Sequence, residues 1–198
     1  MSYRRLVIPN MWARMQRLQD EDLNDKDDDP GDDEIYGIVT VIQRSNRGVL
    51  EDTHVGGSDN YVTFTQADRG KWKELQHTGE WMGVWVPSDS QIEVTWYLME
   101  EDSILDDDLE EALGDLVKGI TEEIEELPGI ARAKRLYALI TKVVASISGD
   151  DVLGTHKRFF DLSQLPQPFE YRRTFSCNAN DADYTAWARL NLGKSRKR

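Results

Sequence analysis

The sequence predicts a mainly β protein: an antiparallel β-sandwich with an inserted two-helix hairpin and an N-terminal helical arm. Three observations lead to this fold class. Residues 91–98 alternate between apolar and polar side chains, as a half-buried strand does. Six further β-rich segments are separated by turns, which is typical of antiparallel sandwiches. The apolar spacing becomes helical only between residues 106 and 148.

The clearest strand is residues 91–98, in which Ile92, Val94, Trp96 and Leu98 fall on one face. That face is expected to form the core. The other predicted strands cover residues 35–43, 61–65, 81–86, 156–161, 169–175 and 184–192. Trp81, Trp85 and Trp96 are interpreted as side chains that fill the core.

The helical hairpin is predicted within residues 106–148. Leu109, Leu113, Leu116 and Ile120 recur at helical spacing, and Pro128 with Gly129 ends the run. A second apolar stripe follows. Because only a Pro-Gly turn joins the two helices, we expect them to pack antiparallel as an insertion between strands.

The N-terminal segment is interpreted as a basic arm. Asn10 can cap a short helix whose apolar face carries Met11, Trp12, Met15 and Leu18. In residues 20–34, ten of fifteen side chains are Asp or Glu, which is typical of a solvated linker. The arm is expected to dock on a partner protein or a second copy, with docking on its own sandwich as the alternative.

The predicted organisation has five parts. Residues 1–34 form the arm and acidic linker, 35–105 the first part of the sandwich, and 106–148 the helical hairpin. Residues 149–193 form the last part of the sandwich, and residues 194–198 a basic tail.

Composition excludes several classes of function. The 37 acidic residues exceed the 24 Lys and Arg, and a net charge of −13 disfavours nucleic acid as a partner. No apolar run is long enough to cross a bilayer. The absence of a signal sequence and the single Cys177 favour a cytoplasmic location, or an intracellularly assembled particle.

No catalytic constellation is evident, so the protein is not expected to be an enzyme. His54, His77 and His156 are scattered and have no paired spacing. The glycines form no phosphate-binding loop followed by Lys. A binding or assembly module is the favoured class.

Two acidic segments suggest a ligand. Residues 45–60 contain Asp52 and Asp59, and Glu100 and Asp102 follow the strand at 91–98. Calcium takes six to eight oxygen ligands, usually carboxylates from flexible loops. If these segments converge at one end of the sandwich, they supply such ligands.

The same segments resemble the C2 domain, a calcium- and phospholipid-binding β-sandwich. Residues 52–62, Asp-Thr-His-Val-Gly-Gly-Ser-Asp-Asn-Tyr-Val, resemble its first calcium loop, with Asn60 in place of a proline. Glu100-Glu101-Asp102 resembles its third loop, and Asp151-Val152-Leu153-Gly154 resembles the end of that loop. The resemblance spans residues 35–162 and places the helical hairpin inside the third loop.

The resemblance implies a calcium site. The bound calcium would help the domain to contact a protein partner or, peripherally, anionic lipid. The implied ligands are Asp52, Asp59, Glu100, Asp102 and Asp151. Asp108 competes with Asp151 for the last position, although Asp106 to Asp108 also fit a helix N-terminal cap. Asp52 and Asp59 also fit ordinary turns beside glycine. The alternative function is a metal-independent structural subunit of a larger particle.

Overall fold

The computed structural model describes residues 2–18, 33–58, 61–75, 81–100, 152–178 and 182–197. These residues contain strands and two short 3-10 helices, Gln66–Asp68 and Leu162–Gln164, but no α-helix. The strands are β1 (Ser2–Ile8), β2 (Trp12–Leu18), β3 (Asp33–Arg44), β4 (Leu50–Gly57), β5 (Val62–Phe64), β6 (Trp72–Glu74), β7 (Met82–Pro87), β8 (Gln91–Glu100), β9 (Val152–Asp161), β10 (Phe169–Asn178), β11 (Ala182–Leu192) and β12 (Arg196–Lys197).

The predicted fold class is confirmed at the level of a mainly β protein with two antiparallel sheets. Each predicted strand is present, as β3, β5, β7, β8, β9, β10 and β11. The predicted helical hairpin, residues 106–148, lies outside the described residues, and so does most of the acidic linker. No helix within the described ranges is long and apolar enough to cross a membrane.

The first sheet is organised around β11. One side of β11 pairs with β10 along its whole length. On its other side β2 pairs with residues 182–186 and β1 with residues 191–192, so that β1 and β2 follow each other along the same edge of β11. Beyond them, β7 pairs with β1 and β6 pairs with β2.

The second sheet has the order β4-β3-β8-β9, with β5 pairing beside the start of β3. Its inner face carries the residues predicted from the alternation of residues 91–98: Ile92, Val94, Trp96 and Leu98 are 0 to 1% exposed. These side chains join one core cluster with Leu6, Ile8, Ala186 and Leu190 of the first sheet. The core therefore lies between the two sheets, as a sandwich requires.

The predicted N-terminal helix is wrong, because residues 12–18 form strand β2. The physical reason is a two-residue period: Met11, Ala13 and Met15 are at most 1% exposed, whereas Trp12 and Arg14 point to the other face. A ladder with β11 satisfies both the backbone hydrogen bonds and this alternation. Met11 and Met15, two of the four apolar residues expected to dock on another chain, are therefore buried within this chain.

Arg4 shows how firmly β1 belongs to the sandwich. Its side chain is fully buried, and the guanidinium donates to the carbonyl oxygens of Gly193 at 3.0 Å, Pro166 at 2.7 Å and Leu162 at 3.3 Å. Buried charge is costly unless its donors are satisfied. The bonds to Leu162 and Pro166 attach β1 to the segment that follows β9, and the bond to Gly193 attaches it to the end of β11.

One edge of the sandwich is closed by the approach of β9 to β10. Gly154 leaves room for Cys177, since a Cβ at Gly154 would lie 2.7 Å from the Cys177 sulfur. On the same two strands, His156 Nε2 and the Tyr171 hydroxyl are 2.8 Å apart. Glycine here permits close packing of the two strands.

Candidate functional site

Strand register separates two of the predicted calcium ligands. Asp52 pairs with Gln43, near one end of β3, whereas Glu100 pairs with Ile35, near the other end. These two positions are eight residue steps apart along β3, which is about 26 Å at 3.3 Å per residue. Calcium ligands lie about 2.3 to 2.6 Å from the ion. Asp52 and Glu100 therefore cannot hold the same ion.

The segment interpreted as a first calcium loop is largely strand. Residues 52–57 belong to β4, and Gly56 and Gly57 pair with Val39 and Ile38. Gly56 is required because a Cβ there would collide with the backbone carbonyl of Trp81. The glycine pair therefore reflects close backbone packing rather than a ligand-binding turn.

Asp52 already has neighbours within β4. Its Oδ1 accepts a hydrogen bond from the Thr53 amide at 2.9 Å, and its Oδ2 lies 3.7 Å from His54 Nε2. The remaining predicted ligands, Asp59, Asp102 and Asp151, and the alternative Asp108, lie outside the described residues. Among the residues that are described, no group of three His, Cys, Asp or Glu side chains is placed to hold a metal ion.

A different site lies on the outer face of the first sheet. There Trp12, Trp72, Trp187, Arg172 and Arg189 line a cavity of about 310 Å³, which we call the Trp-Arg groove. The residues come from β2, β6, β10 and β11. Their neighbours in sequence on β2 and β11 point inward and are buried, so the alternation of the strands places these side chains outward.

Two tryptophans form a corner in this groove. The rings of Trp72 and Trp187 meet edge to face, with centroids 5.4 Å apart and planes at 89°. The guanidinium carbon of Arg172 lies 3.3 Å from the centre of the Trp187 ring, and that of Arg14 lies 4.9 Å from the Trp72 ring. Cation-π stacking holds each arginine beside an aromatic wall.

The groove concentrates positive charge on a protein whose net charge is −13. Arg172 and Arg189 occupy directly opposed positions on β10 and β11. Like charges in opposed positions destabilise a sheet. Two polar atoms beside the cavity, Arg14 Nε and Trp187 Nε1, are buried without a hydrogen-bond partner among the described residues. An anion placed between the arginines would relieve the repulsion.

The arrangement suits a ligand with two chemical parts. The indole walls favour a flat apolar group such as an aromatic ring or proline. A guanidinium presents a planar fork of donors that matches a carboxylate or phosphate. The volume is at the lower end of the range for small-ligand sites, about 300 to 1,000 Å³.

Sequence reasoning missed the groove because its parts are distant in the chain. Trp81 and Trp96 are buried as predicted, but Trp85 lies on the outer face. The alternation at residues 184–192 predicts a buried face with Tyr184, Ala186 and Leu190, and it places Trp187 and Arg189 on the opposite face without indicating their partners on other strands. The two-residue period at residues 11–16 likewise places Trp12 on the face opposite Met11, Ala13 and Met15.

Cys177 and His156 both pack against neighbouring side chains or backbone where β9 meets β10. Burial raises the pKa of the Cys177 thiol to about 12, so the reactive thiolate is disfavoured at neutral pH. His156 stacks between Tyr171 and Phe175, with ring centroids 6.1 Å and 5.6 Å away. Burial, and secondarily the charge of Arg158, lowers the pKa of His156.

Comparison with known proteins gives only distant similarity. No protein-family model and no curated protein matches this chain. Among solved structures, human GIVD cytosolic phospholipase A2 in complex with methyl gamma-linolenyl fluorophosphonate is 12% identical, with a TM-score of 0.41. The match covers 100% of this chain but 18% of that chain.

A second structure, described as human GIVD cytosolic phospholipase A2, is 11% identical with a TM-score of 0.38. It covers 98% of this chain and 16% of that one. This chain thus spans less than a fifth of the proteins it resembles in structure.

Proposed function

We propose that the protein is a non-enzymatic binding module that holds an acidic segment of a partner protein in the Trp-Arg groove. The observation that carries this proposal is the corner of Trp72 and Trp187 with Arg172 and Arg189 beside it. Aromatic residues and arginine are the residue types most enriched at the energetic centres of protein interfaces.

Charge supports an acidic ligand. The groove has arginines on both opposed strands, so a carboxylate or phosphate gains paired hydrogen bonds and also reduces repulsion. A cationic ligand would meet guanidinium groups that already cover the Trp72 and Trp187 rings. Recognition of acidic motifs by clustered arginines is a recurring mode of peptide binding.

A peptide fits better than nucleic acid. Nucleic acid carries a phosphate at every nucleotide, and each added charge is repelled by a protein of net charge −13. A peptide can place aromatic side chains between its carboxylates, and these can pack on the indole rings while the carboxylates meet the arginines. We therefore take a mixed acidic and aromatic peptide as the ligand class.

The calcium proposal is retained in a narrower form, without Asp52. The ends of β4 and β8 and the start of β9 meet at the same end of β3, since Ile38 pairs with Gly57, Ile35 with Glu100, and Met99 with Val152. Asp59, Asp102 and Asp151 follow or precede these positions closely in sequence. A C2-like calcium site would use these residues with Glu100, and Asp108 is the alternative to Asp151.

The groove is tested with a fluorescein-labelled peptide of nine residues, three Glu-Glu-Tyr repeats, followed by fluorescence anisotropy. Removing one charged hydrogen-bond donor in Arg172→Gln should weaken binding about tenfold or more. Arg47→Gln is the matched control, because it removes the same charge from an exposed loop between β3 and β4. Equal affinity of both variants and the unmodified protein would contradict the proposal.

A second peptide tests whether the groove selects a negatively charged ligand. The Lys-Lys-Tyr repeat of the same length should bind no more tightly to the unmodified protein than to Arg172→Gln, because the groove already carries its own cations and any attraction to the net charge of −13 acts on both proteins. Single-stranded oligothymidylate of nine nucleotides is included as another anionic polymer. Tighter binding of the oligonucleotide than of the acidic peptide would mean that the ligand is nucleic acid and not a segment of a partner protein.

A further inference from the structure

The outer face of the first sheet carries a second pair of arginine and tryptophan, away from the groove. Arg5 on β1 and Trp85 on β7 occupy directly opposed positions. The residues on both sides of Arg5, Arg4 and Leu6, are fully buried, and Val86 beside Trp85 is also buried. Arg5 and Trp85 therefore lie on the outer face, which is also the face of the groove.

The spacing between the two pairs follows from the register. The Gly193 amide donates to the Arg5 carbonyl at 2.9 Å, which places Arg5 level with Gly193, next to the end of β11. Trp187 in the groove is six residues earlier along that chain. Six residues of extended chain span about 20 Å.

Between the two pairs, β11 presents Arg189 and Asn191 on the same face, because Ala188, Leu190 and Leu192 are buried on the other. The outer face thus carries cationic and hydrogen-bonding groups from Trp187 to Arg5. A small ligand would occupy the groove alone. An extended chain of six or more residues could contact both arginine and tryptophan pairs at once.

We propose that Arg5 and Trp85 form a second subsite for the same partner, an acidic peptide held extended along β11. This inference rests on the proposed function of the groove. Two linked contacts make binding depend on ligand length, since the second contact forms at the high effective concentration set by the first. A three-residue peptide spans about 10 Å and reaches one subsite, whereas nine residues span about 30 Å.

The test compares labelled Glu-Glu-Tyr peptides of three and nine residues by anisotropy on the full chain at constant ionic strength. The unmodified protein should bind the longer peptide about five- to tenfold more tightly. Arg5→Gln should remove that gain while leaving the affinity for the short peptide unchanged. Arg47→Gln, on the exposed loop after β3, should leave both affinities unchanged.

Each outcome decides between the two proposals. If both lengths bind equally to the unmodified protein, or if the gain persists in Arg5→Gln, the second subsite is refuted and the groove remains. If Arg5→Gln weakens both lengths equally, Arg5 acts as a distant charge and the subsite is also refuted. If neither peptide binds, the proposed function fails and this inference fails with it.

Discussion

The Trp-Arg groove and the acidic end of the second sheet differ in how their residues are brought together. The acidic end was visible in sequence because its carboxylates fall in short runs, but the register of β3 places Asp52 at the opposite end from Glu100. The groove left no local motif, yet four strands bring its side chains around one cavity. In a β-sandwich, strand pairing decides which residues share a site, and sequence proximity does not.

The largest expected effect concerns the acidic end. If calcium binds there, calcium at 100 times its dissociation constant should stabilise the fold by about 2.7 kcal/mol. Asp102→Asn should abolish this gain, whereas Asp52→Asn should keep it because the register places Asp52 about 26 Å from Glu100. Thermal unfolding with chelator or millimolar calcium measures both.

Two results would change this view of the acidic end. An unfolding temperature that is the same in chelator and in calcium would mean that calcium does not bind the folded protein. A calcium response lost in Asp52→Asn would mean that the observed register of β4 on β3 is wrong.

The second prediction compares Gly56, which packs against the backbone of Trp81, with Gly48, which has open space around it. Gly56→Ala should lower the free energy of unfolding by about 1 to 3 kcal/mol, because the added methyl group has to displace the backbone at Trp81. Denaturant unfolding measures the change. Gly48 has a positive φ of 76° but open space around it, so Gly48→Asn is a control that tests backbone strain without a clash. Equal tolerance at Gly56 and Gly48 would restore the interpretation of residues 56–57 as a turn.

A pH effect is expected where β9 meets β10. The pKa of His156 is lowered in the folded protein by burial and by Arg158, so the folded state takes up a proton less readily than the unfolded state. The stability that His156 contributes is therefore fully present above the pKa of the unfolded state, about 6.5. This stability is lost as the pH falls below that value. His156→Gln should show a smaller loss of thermal stability between pH 7.5 and 5.5 than the unmodified protein. The same loss in both proteins would contradict this assignment.

The strands of the second sheet could be predicted because alternation is a local property. Residues 91–98 show it completely, and six of the nine residues at 35–43 in β3 are β-branched. β2 was mistaken for a helix because Met11, Met15 and Leu18 also satisfy a helical period, and only the partner strand β11 decides between the two. The groove could not be predicted, since Arg172 and Arg189 become neighbours through pairing.

The smallest expected effect is also the most direct test of the groove as a ligand site. Arg189 is opposed to Arg172, so Arg189→Gln should remove a like-charge repulsion and stabilise the free protein by about 0.2 to 1 kcal/mol. The same substitution should weaken binding of the nine-residue Glu-Glu-Tyr peptide. Denaturant unfolding and peptide anisotropy on the same sample give both numbers. The account predicts opposite signs, a more stable fold and a weaker complex; a less stable fold with unchanged affinity would mean that Arg189 is structural and that the groove is not a binding site.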